Sequence, residues 1–129
     1  MTGVQTCALP ISGDLVVGNA VWTKNEENGE WGFFPVTRVG SDYCAFRMKA
    51  TFDDGQEIIT SDVHKYLTHM GFIPLRDLLL GTEICTESGS KVLTRLEMVE
   101  SGPIVQITIG RAHTYLIGDV ISHNISAYP

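Results

Sequence analysis

Short runs of strand-forming residues, interrupted at close spacing by turn-forming ones, constrain the fold of this chain more than any other feature. Apolar side chains alternate with more polar ones over Cys44–Phe52, which is the period of a half-buried strand. Asp53-Asp54-Gly55 follows and can form a tight turn, since glycine adopts positive φ at little cost. Residues 56–60 would then form a second strand that runs back along the first. This pattern predicts a β-hairpin.

Similar runs recur along most of the chain. We predict further strands over Asp14–Ala20, Phe33–Val39, Lys91–Val99, Ile104–Ile109, Thr114–Leu116 and Val120–Ser122. Helical potential is confined to Ser61–Met70 and Leu75–Leu80, where nearby Gly and Pro residues would stop a helix after a turn or two. The sequence therefore predicts one all-β domain with at most two short helices.

The amino-acid composition argues against several classes of function. The 129 residues are 43% hydrophobic, which suffices for one core, and the net charge of −6 with scattered Lys and Arg disfavours nucleic-acid binding. No apolar stretch is long enough to cross a membrane. Cys7, Cys44 and Cys85 form no CxxC pair, so we expect neither a disulfide framework nor a zinc site, and no cofactor. A reducing compartment is expected, with the cytoplasm as the default.

The dipeptide His123-Asn124, at the end of a predicted strand, suggests that the chain could cleave its own backbone. An asparagine side-chain amide can attack its own main-chain carbonyl, forming a succinimide and breaking the bond to the next residue. The reaction accelerates when the amide is held in place and an imidazole donates a proton. His113 would be brought near by the hairpin of residues 114–122. The alternative is that the dipeptide arises by chance and both histidines are surface residues.

The wider pattern resembles Hint (hedgehog/intein) domains. Ile104–Asn124 is similar to their C-terminal signature, in which a strand is followed by H-T-Y and a final H-N, and Asp54–Thr68 is similar to an upstream segment containing [TS]-x-x-H. Weaker matches lie at Gly71–Ile84 and Gly13–Val16. The resemblance covers residues 13–124 and implies a curved antiparallel, horseshoe-shaped fold.

The resemblance also implies roles for individual residues. His64 would polarise the scissile peptide at the N-terminal junction, with Ser61 in the place usually held by Thr. A histidine with a pKa near ~6.5 can donate a proton there at neutral pH. His113 and His123 would assist cyclisation of Asn124, so the substrate is the chain itself. Taken alone, Ser61 and His64 are also compatible with the N-cap and the amphipathic face of a short helix.

Departures from the family pattern limit the expected reaction. Gln106 stands where many members have Asp, and Ile125 follows Asn124 where splicing inteins require Cys, Ser or Thr. The first-segment nucleophile of the family would lie upstream of Gly13. We therefore expect single-turnover C-terminal cleavage of the non-splicing bacterial intein-like or phage-protein type.

The two ends of the chain are interpreted separately. Residues 1–12 resemble the translation of a common sequencing adaptor, so we expect them to be an artefact. Residues 13–124 would then be a Hint-like domain without its first segment, and residues 125–129 a C-terminal tail, within a larger host protein.

Two other interpretations remain open at this stage. The same β-module could be an inert structural unit of a phage or surface protein. His64, His113 and His123 could instead form a metal site, but no carboxylate or further histidine lies beside them at ligand spacing in the sequence.

Overall fold

The structure is a computed structural model that describes residues 16–123. The predicted all-β architecture is confirmed: in this range the chain forms eleven strands and a single turn of 3₁₀ helix at Leu75–Asp77. The strands are β1 Ala20–Lys24, β2 Trp31–Cys44, β3 Arg47–Phe52, β4 Glu57–Ser61, β5 Lys65–Thr68, β6 Gly71–Pro74, β7 Glu83–Cys85, β8 Ser90–Val99, β9 Gly102–Ile109, β10 Thr114–Ile117 and β11 Val120–His123. None of the helical segments between residues 16 and 123 has the length and apolarity needed to span a bilayer. The predicted domain boundaries, after residues 12 and 124, lie outside this range.

The strands pair antiparallel and form two sheets. The smaller sheet has the order β1-β2-β9, and the larger has the order β10-β11-β5-β7-β8-β3-β4, with β6 paired to β5 beside this path. Register shifts interrupt the β2–β9 pair between Val36 and Arg38 and the β3–β8 pair between Thr51 and Phe52. Such irregularities increase the local twist of a strand, which gives the sheets their curvature.

Two predicted hairpins are confirmed. β3 and β4 pair around the Asp53–Gly55 turn, where Gly55 has a φ of 90° and its N–H donates to the Phe52 carbonyl. β8 precedes β9 as predicted, although β9 pairs with β2 and β8 with β3. β10 and β11 pair around Gly118-Asp119, with Gly118 at a φ of 62°.

The prediction of a strand over Asp14–Ala20 is wrong at residues 16–19. There the Val16 N–H donates to the Asn19 side chain at 3.1 Å, the Asn19 N–H donates back to the Val16 carbonyl, and Gly18 has a φ of 99°. An Asn side chain that bonds nearby backbone competes with strand pairing, and the result is a turn. The strand begins only at Ala20.

The helical potential of Ser61–Met70 is not realised either. This segment contains the end of β4, a turn and β5, in which Tyr66 and Thr68 are buried while Lys65 and Leu67 are less so. That alternation has the period of a strand. Thr68 Oγ1 ends β5 by accepting from the Met70 N–H at 3.0 Å and donating to the Gly71 carbonyl at 2.9 Å.

The core lies between the sheets and has two parts. The main cluster includes Tyr66, Leu75, Ile84, Leu93 and Ile109, each fully buried. Burial of such side chains contributes about 1.5–3 kcal/mol each, so this cluster is the main source of stability. A smaller cluster centres on two buried residues of the β10–β11 hairpin, with five partly buried ones against them. These are Leu116 and Ile121, packed with Trp22, Trp31, Leu67, Phe72 and Cys85.

Candidate functional site

His64 lies in the turn between β4 and β5. Its backbone N–H donates to the Ser61 carbonyl at 3.2 Å, and its own carbonyl accepts from Leu75 at 2.9 Å. The imidazole is 4% exposed and lies edge-on to the rings of Tyr66, at 5.4 Å between centroids, and Tyr115, at 6.0 Å. Its Nε2 atom has no hydrogen-bond partner among residues 16–123. The ring is therefore fixed by packing, with one polar atom left for a group outside this range.

The protonation state of His64 differs from our expectation. Burial, and to a smaller extent the charge of His123, lowers the pKa of His64 to about 4. At pH 7 only about one molecule in 10³ carries a protonated ring. His64 is therefore neutral at pH 7, and its pKa lies well below the value near 6.5 expected from the sequence.

The β10–β11 hairpin places the other two histidines side by side. His123 pairs with Thr114, so His113 immediately precedes its cross-strand neighbour. β11 also contacts β5 through the pair Ser122 and Tyr66, which brings the hairpin next to the His64 turn. His113 and His123 thus share the Glu26 carboxylate, and His123 is near enough to His64 to influence its pKa.

The turn that carries His113 is strained. Arg111 and His113 have φ values of 64° and 60°, the left-handed region that costs non-glycine residues roughly 1–2 kcal/mol each. Ala112 between them is fully buried, and Thr114 is fixed by hydrogen bonds to the Thr23 hydroxyl and to the Lys24 carbonyl. Burial on both sides holds the His113 backbone in this conformation.

One carboxylate joins the two hairpin histidines. Glu26 Oε1 lies 2.5 Å from Nε2 of His123, and Oε2 lies 3.7 Å from Nδ1 of His113. The Phe72 ring packs edge-on against His123 at 4.8 Å. A cavity of about 230 Å³ adjoins Glu26 and is walled partly by Leu67 and Phe72. Because the His123 side chain is only 17% exposed, this pair is screened less than a surface pair.

The backbone around Glu26 is anchored at both ends. The Asn25 N–H donates to the Glu30 carbonyl at 2.8 Å, and the Asn25 side chain accepts from the Glu27 N–H at 2.8 Å. The Glu26 N–H donates across the site to the Ala112 carbonyl at 3.1 Å. The β1–β2 loop is therefore attached to the strained turn that carries His113.

The remaining predicted site residues are placed as follows. Ser61 is buried at the end of β4 and contacts His64 through the backbone hydrogen bond described above. It does not cap a helix, so the N-cap interpretation is wrong. Asn124 lies outside the described residues, although it follows His123 directly in the sequence.

Comparison with solved structures identifies the fold. The crystal structure of the Ssp DnaB mini-intein variant M86 matches with a TM-score of 0.81 at 18% identity, over 88% of this chain and 81% of that one. The gp41-1 intein matches with a TM-score of 0.78 at 24% identity, over 94% and 92%. The solution structure of a bacterial intein-like domain from Clostridium thermocellum gives 0.79 at 19% identity, over 88% and 86%.

This chain has the Hint fold of the inteins. No family model and no curated protein matches the sequence. The resemblance in the sequence motifs and the three-dimensional likeness thus agree on the fold.

In this Hint fold, a buried lysine anchors the far end of the β10–β11 hairpin. Lys91 Nζ lies 2.6 Å from Asp54 and 2.8 Å from Asp119, and also donates to Gln56 at 2.5 Å. Burial alone would lower the pKa of Lys91, but the hydrogen bonds to the two aspartates outweigh it and raise the pKa. The Lys91 cluster, these four residues, joins the turn after β3 to the turn after β10.

No group of three or more ligating side chains within residues 16–123 has the geometry of a metal site. Glu26 does lie beside His113 and His123, which the sequence did not indicate. The 2.5 Å between Glu26 and His123 is a hydrogen-bond contact, and it is shorter than the separation of roughly 3 Å between two ligands that each lie about 2 Å from one zinc ion. The site is better described as a carboxylate that orients two imidazoles.

Glu26 is the site residue that sequence reasoning missed. It lies in a polar loop with Glu27 and Glu30, and nothing in the sequence separates these three carboxylates. Only the hydrogen bond between the loop and Ala112, formed by residues far apart in the chain, selects Glu26. No local signal could have found it.

Proposed function

We propose that this domain is self-processing and cleaves its own chain after Asn124. The observation that carries the proposal is the β10–β11 hairpin, which places His113 and His123 beside the carboxylate of Glu26. His123 is the residue immediately before Asn124. The solved structures of like fold are described as inteins and an intein-like domain, which supports self-processing chemistry.

The proposed reaction is asparagine cyclisation. The side-chain nitrogen of Asn124 attacks the main-chain carbonyl carbon of the same residue, and a new C–N bond closes the succinimide ring. The peptide bond to Ile125 breaks, the attacking nitrogen loses a proton, and the leaving nitrogen gains one. No water or cofactor is consumed, and the products are a chain ending in a succinimide and the peptide of residues 125–129.

The neighbouring groups supply positioning and proton transfer. His123 is adjacent to the reacting residue and is held by Phe72 and Glu26, while His113 lies on the other oxygen of the same carboxylate. Fixed geometry is the larger contribution, because a displacement of about 1 Å can cost ~10²-fold in rate. Proton transfer by a positioned imidazole contributes typically ~10²–10⁴-fold.

His64 and Ser61 belong, in this proposal, to the opposite junction. The unpartnered Nε2 atom of the buried His64 is suited to a peptide group of the host protein that would enter from outside the described range. Because the ring is neutral at pH 7, it would act there as a hydrogen-bond donor. Splicing is not proposed, since Ile125 offers no nucleophile to receive an acyl group.

Mass spectrometry of the full chain, incubated near neutral pH, tests the proposal. The expected result is slow loss of residues 125–129 in the parent, none in Asn124→Ala, and a slower loss in His123→Ala and His113→Ala. His69→Ala is the matched control, because the His69 side chain is 72% exposed and pairs with Glu83, which is not part of the proposed site. A parent chain that keeps its full mass for days would instead favour an inert structural module.

A further inference from the structure

We infer that Glu26 is a positioning residue for the cleavage, which orients His123 and selects the ring nitrogen that exchanges protons with Asn124. The inference rests on the proposed function and extends it to a residue in a loop that no sequence motif marks.

The contact with His123 decides the tautomer. An ionised carboxylate only accepts hydrogen bonds, so the 2.5 Å contact between Oε1 and Nε2 requires a hydrogen on Nε2. In a neutral imidazole the other nitrogen, Nδ1, then carries the lone pair. Nδ1 is the ring nitrogen closer to the main chain, and therefore the one for proton exchange with the residue that follows.

This arrangement allows one imidazole to serve both halves of the reaction. Nδ1 of His123 takes the proton from the attacking amide of Asn124, and the ring becomes an imidazolium. The negative carboxylate of Glu26 stabilises that cation, as a buried acid does behind a catalytic histidine. The same proton then passes to the leaving nitrogen of Ile125, so that the ring and Glu26 finish in their starting states.

The geometry of the loop shows that Glu26 is held for this contact. Its neighbours Glu27 and Glu30 have their N–H groups bonded within the loop itself, to the side chains of Asn25 and Asn28. The Glu26 side chain is 29% exposed and points to the hairpin, and its N–H is bonded to Ala112. The two contacts from one residue, by backbone and by carboxylate, fix the distance between the loop and the two histidines.

Phe72 completes the orientation of His123. Its ring lies edge-on to the imidazole at 68° between planes, which prevents the ring from turning away from Glu26 without losing that contact. His113 receives the second oxygen at 3.7 Å, close enough for attraction but beyond a normal hydrogen bond. Glu26 thus acts mainly on His123.

Two variants separate the hydrogen bond from the charge. Glu26→Gln retains an oxygen that accepts from Nε2 but lacks the negative charge, whereas Glu26→Ala removes both. Glu27→Gln is the matched control, because it removes the charge of the adjacent, exposed carboxylate. Unfolding midpoints in urea verify that each variant is folded.

The first readout is the ¹⁵N spectrum of the histidine rings, recorded at pH 8 on full chains that also carry Asn124→Ala, so that no cleavage occurs. The parent and Glu27→Gln should show His123 with its hydrogen on Nε2. Glu26→Gln should keep this tautomer, and Glu26→Ala should shift the signals towards a mixture of tautomers. Unchanged signals in Glu26→Ala would overturn the inference, whether or not the domain cleaves.

The second readout is the cleavage rate of chains with Asn124 intact. Glu26→Ala should be slower by ~10²-fold, the lower end of the usual contribution of a positioned acid–base group, and Glu26→Gln should be slowed by a smaller factor. Glu27→Gln should match the parent. Equal rates in the parent and Glu26→Ala would also overturn the inference. A parent that never cleaves, together with a tautomer that depends on Glu26, would contradict the proposed function while upholding the orientation of His123.

Discussion

Replacing His64 with glutamine should make the domain less sensitive to mild acid. The pKa of His64 is lowered from 6.5 to about 4 in the folded state, chiefly by burial. The unfolded chain therefore binds a proton that the folded chain excludes, and the folded state loses stability as pH falls from about 6.5 to about 4. Each pH unit within this window costs about 1.4 kcal/mol, so the loss reaches about 2 kcal/mol at pH 5 and about 3 kcal/mol at pH 4.

Urea unfolding followed by the fluorescence of Trp22 and Trp31 measures this effect. The free energy of unfolding should fall between pH 7 and pH 5 by about 2 kcal/mol more in the parent than in His64→Gln. The comparison uses the change with pH, so any packing defect of the variant cancels. His69→Gln replaces an exposed histidine and should retain the parent's acid sensitivity. If the parent and His64→Gln lost the same free energy, burial would not be what keeps His64 neutral.

Two further predictions concern the anchoring of the hairpin. Lys91→Met should lower the free energy of unfolding by about 2 kcal/mol, which is less than for a fully buried ion pair because the two aspartates are about half exposed. It should also slow the proposed cleavage. Thermal unfolding measures the first effect, and the mass-spectrometric rate measures the second. Gly118→Ala should cost more than the about 1–2 kcal/mol of a left-handed alanine. Its Cβ would lie 2.1 Å from the amide nitrogen of Gln56, and moving that side chain away would break its hydrogen bond with Lys91. Gly81→Ala, at a φ of 93° with open space around it, should show only that backbone cost, and equal unfolding free energies for the two variants would contradict the packing argument.

The strands were predictable where alternation and turn chemistry coincide, as around Asp53–Gly55 and Gly118-Asp119. The segment Ser61–Met70 was ambiguous because it is short, and its pairing with β6, β11 and β7 determines that it contains a strand. At residues 16–19, the side chain of Asn19 competes with strand pairing, a local effect that the apolar pattern conceals.

The site was predictable only in part. The three histidines were proposed because their sequence context resembles a family motif, and the structure places His113 and His123 on one carboxylate. The depressed pKa of His64 depends on complete burial, which a sequence does not reveal. Glu26 acts on His123 across 97 residues of chain, and such a contact follows from the topology of the sheets and not from any local pattern.

The position of β11 also dictates when the domain can act. Although it follows every other described strand in the sequence, β11 lies inside the larger sheet, between β10 and β5. A ribosome delivers the chain from its N-terminus, so β5 has emerged long before the strand that must pair with it. Until β11 takes its place, His123 is apart from both Glu26 and the His64 turn. The proposed reactive arrangement is therefore completed only after β11 has been synthesised and has paired with β5.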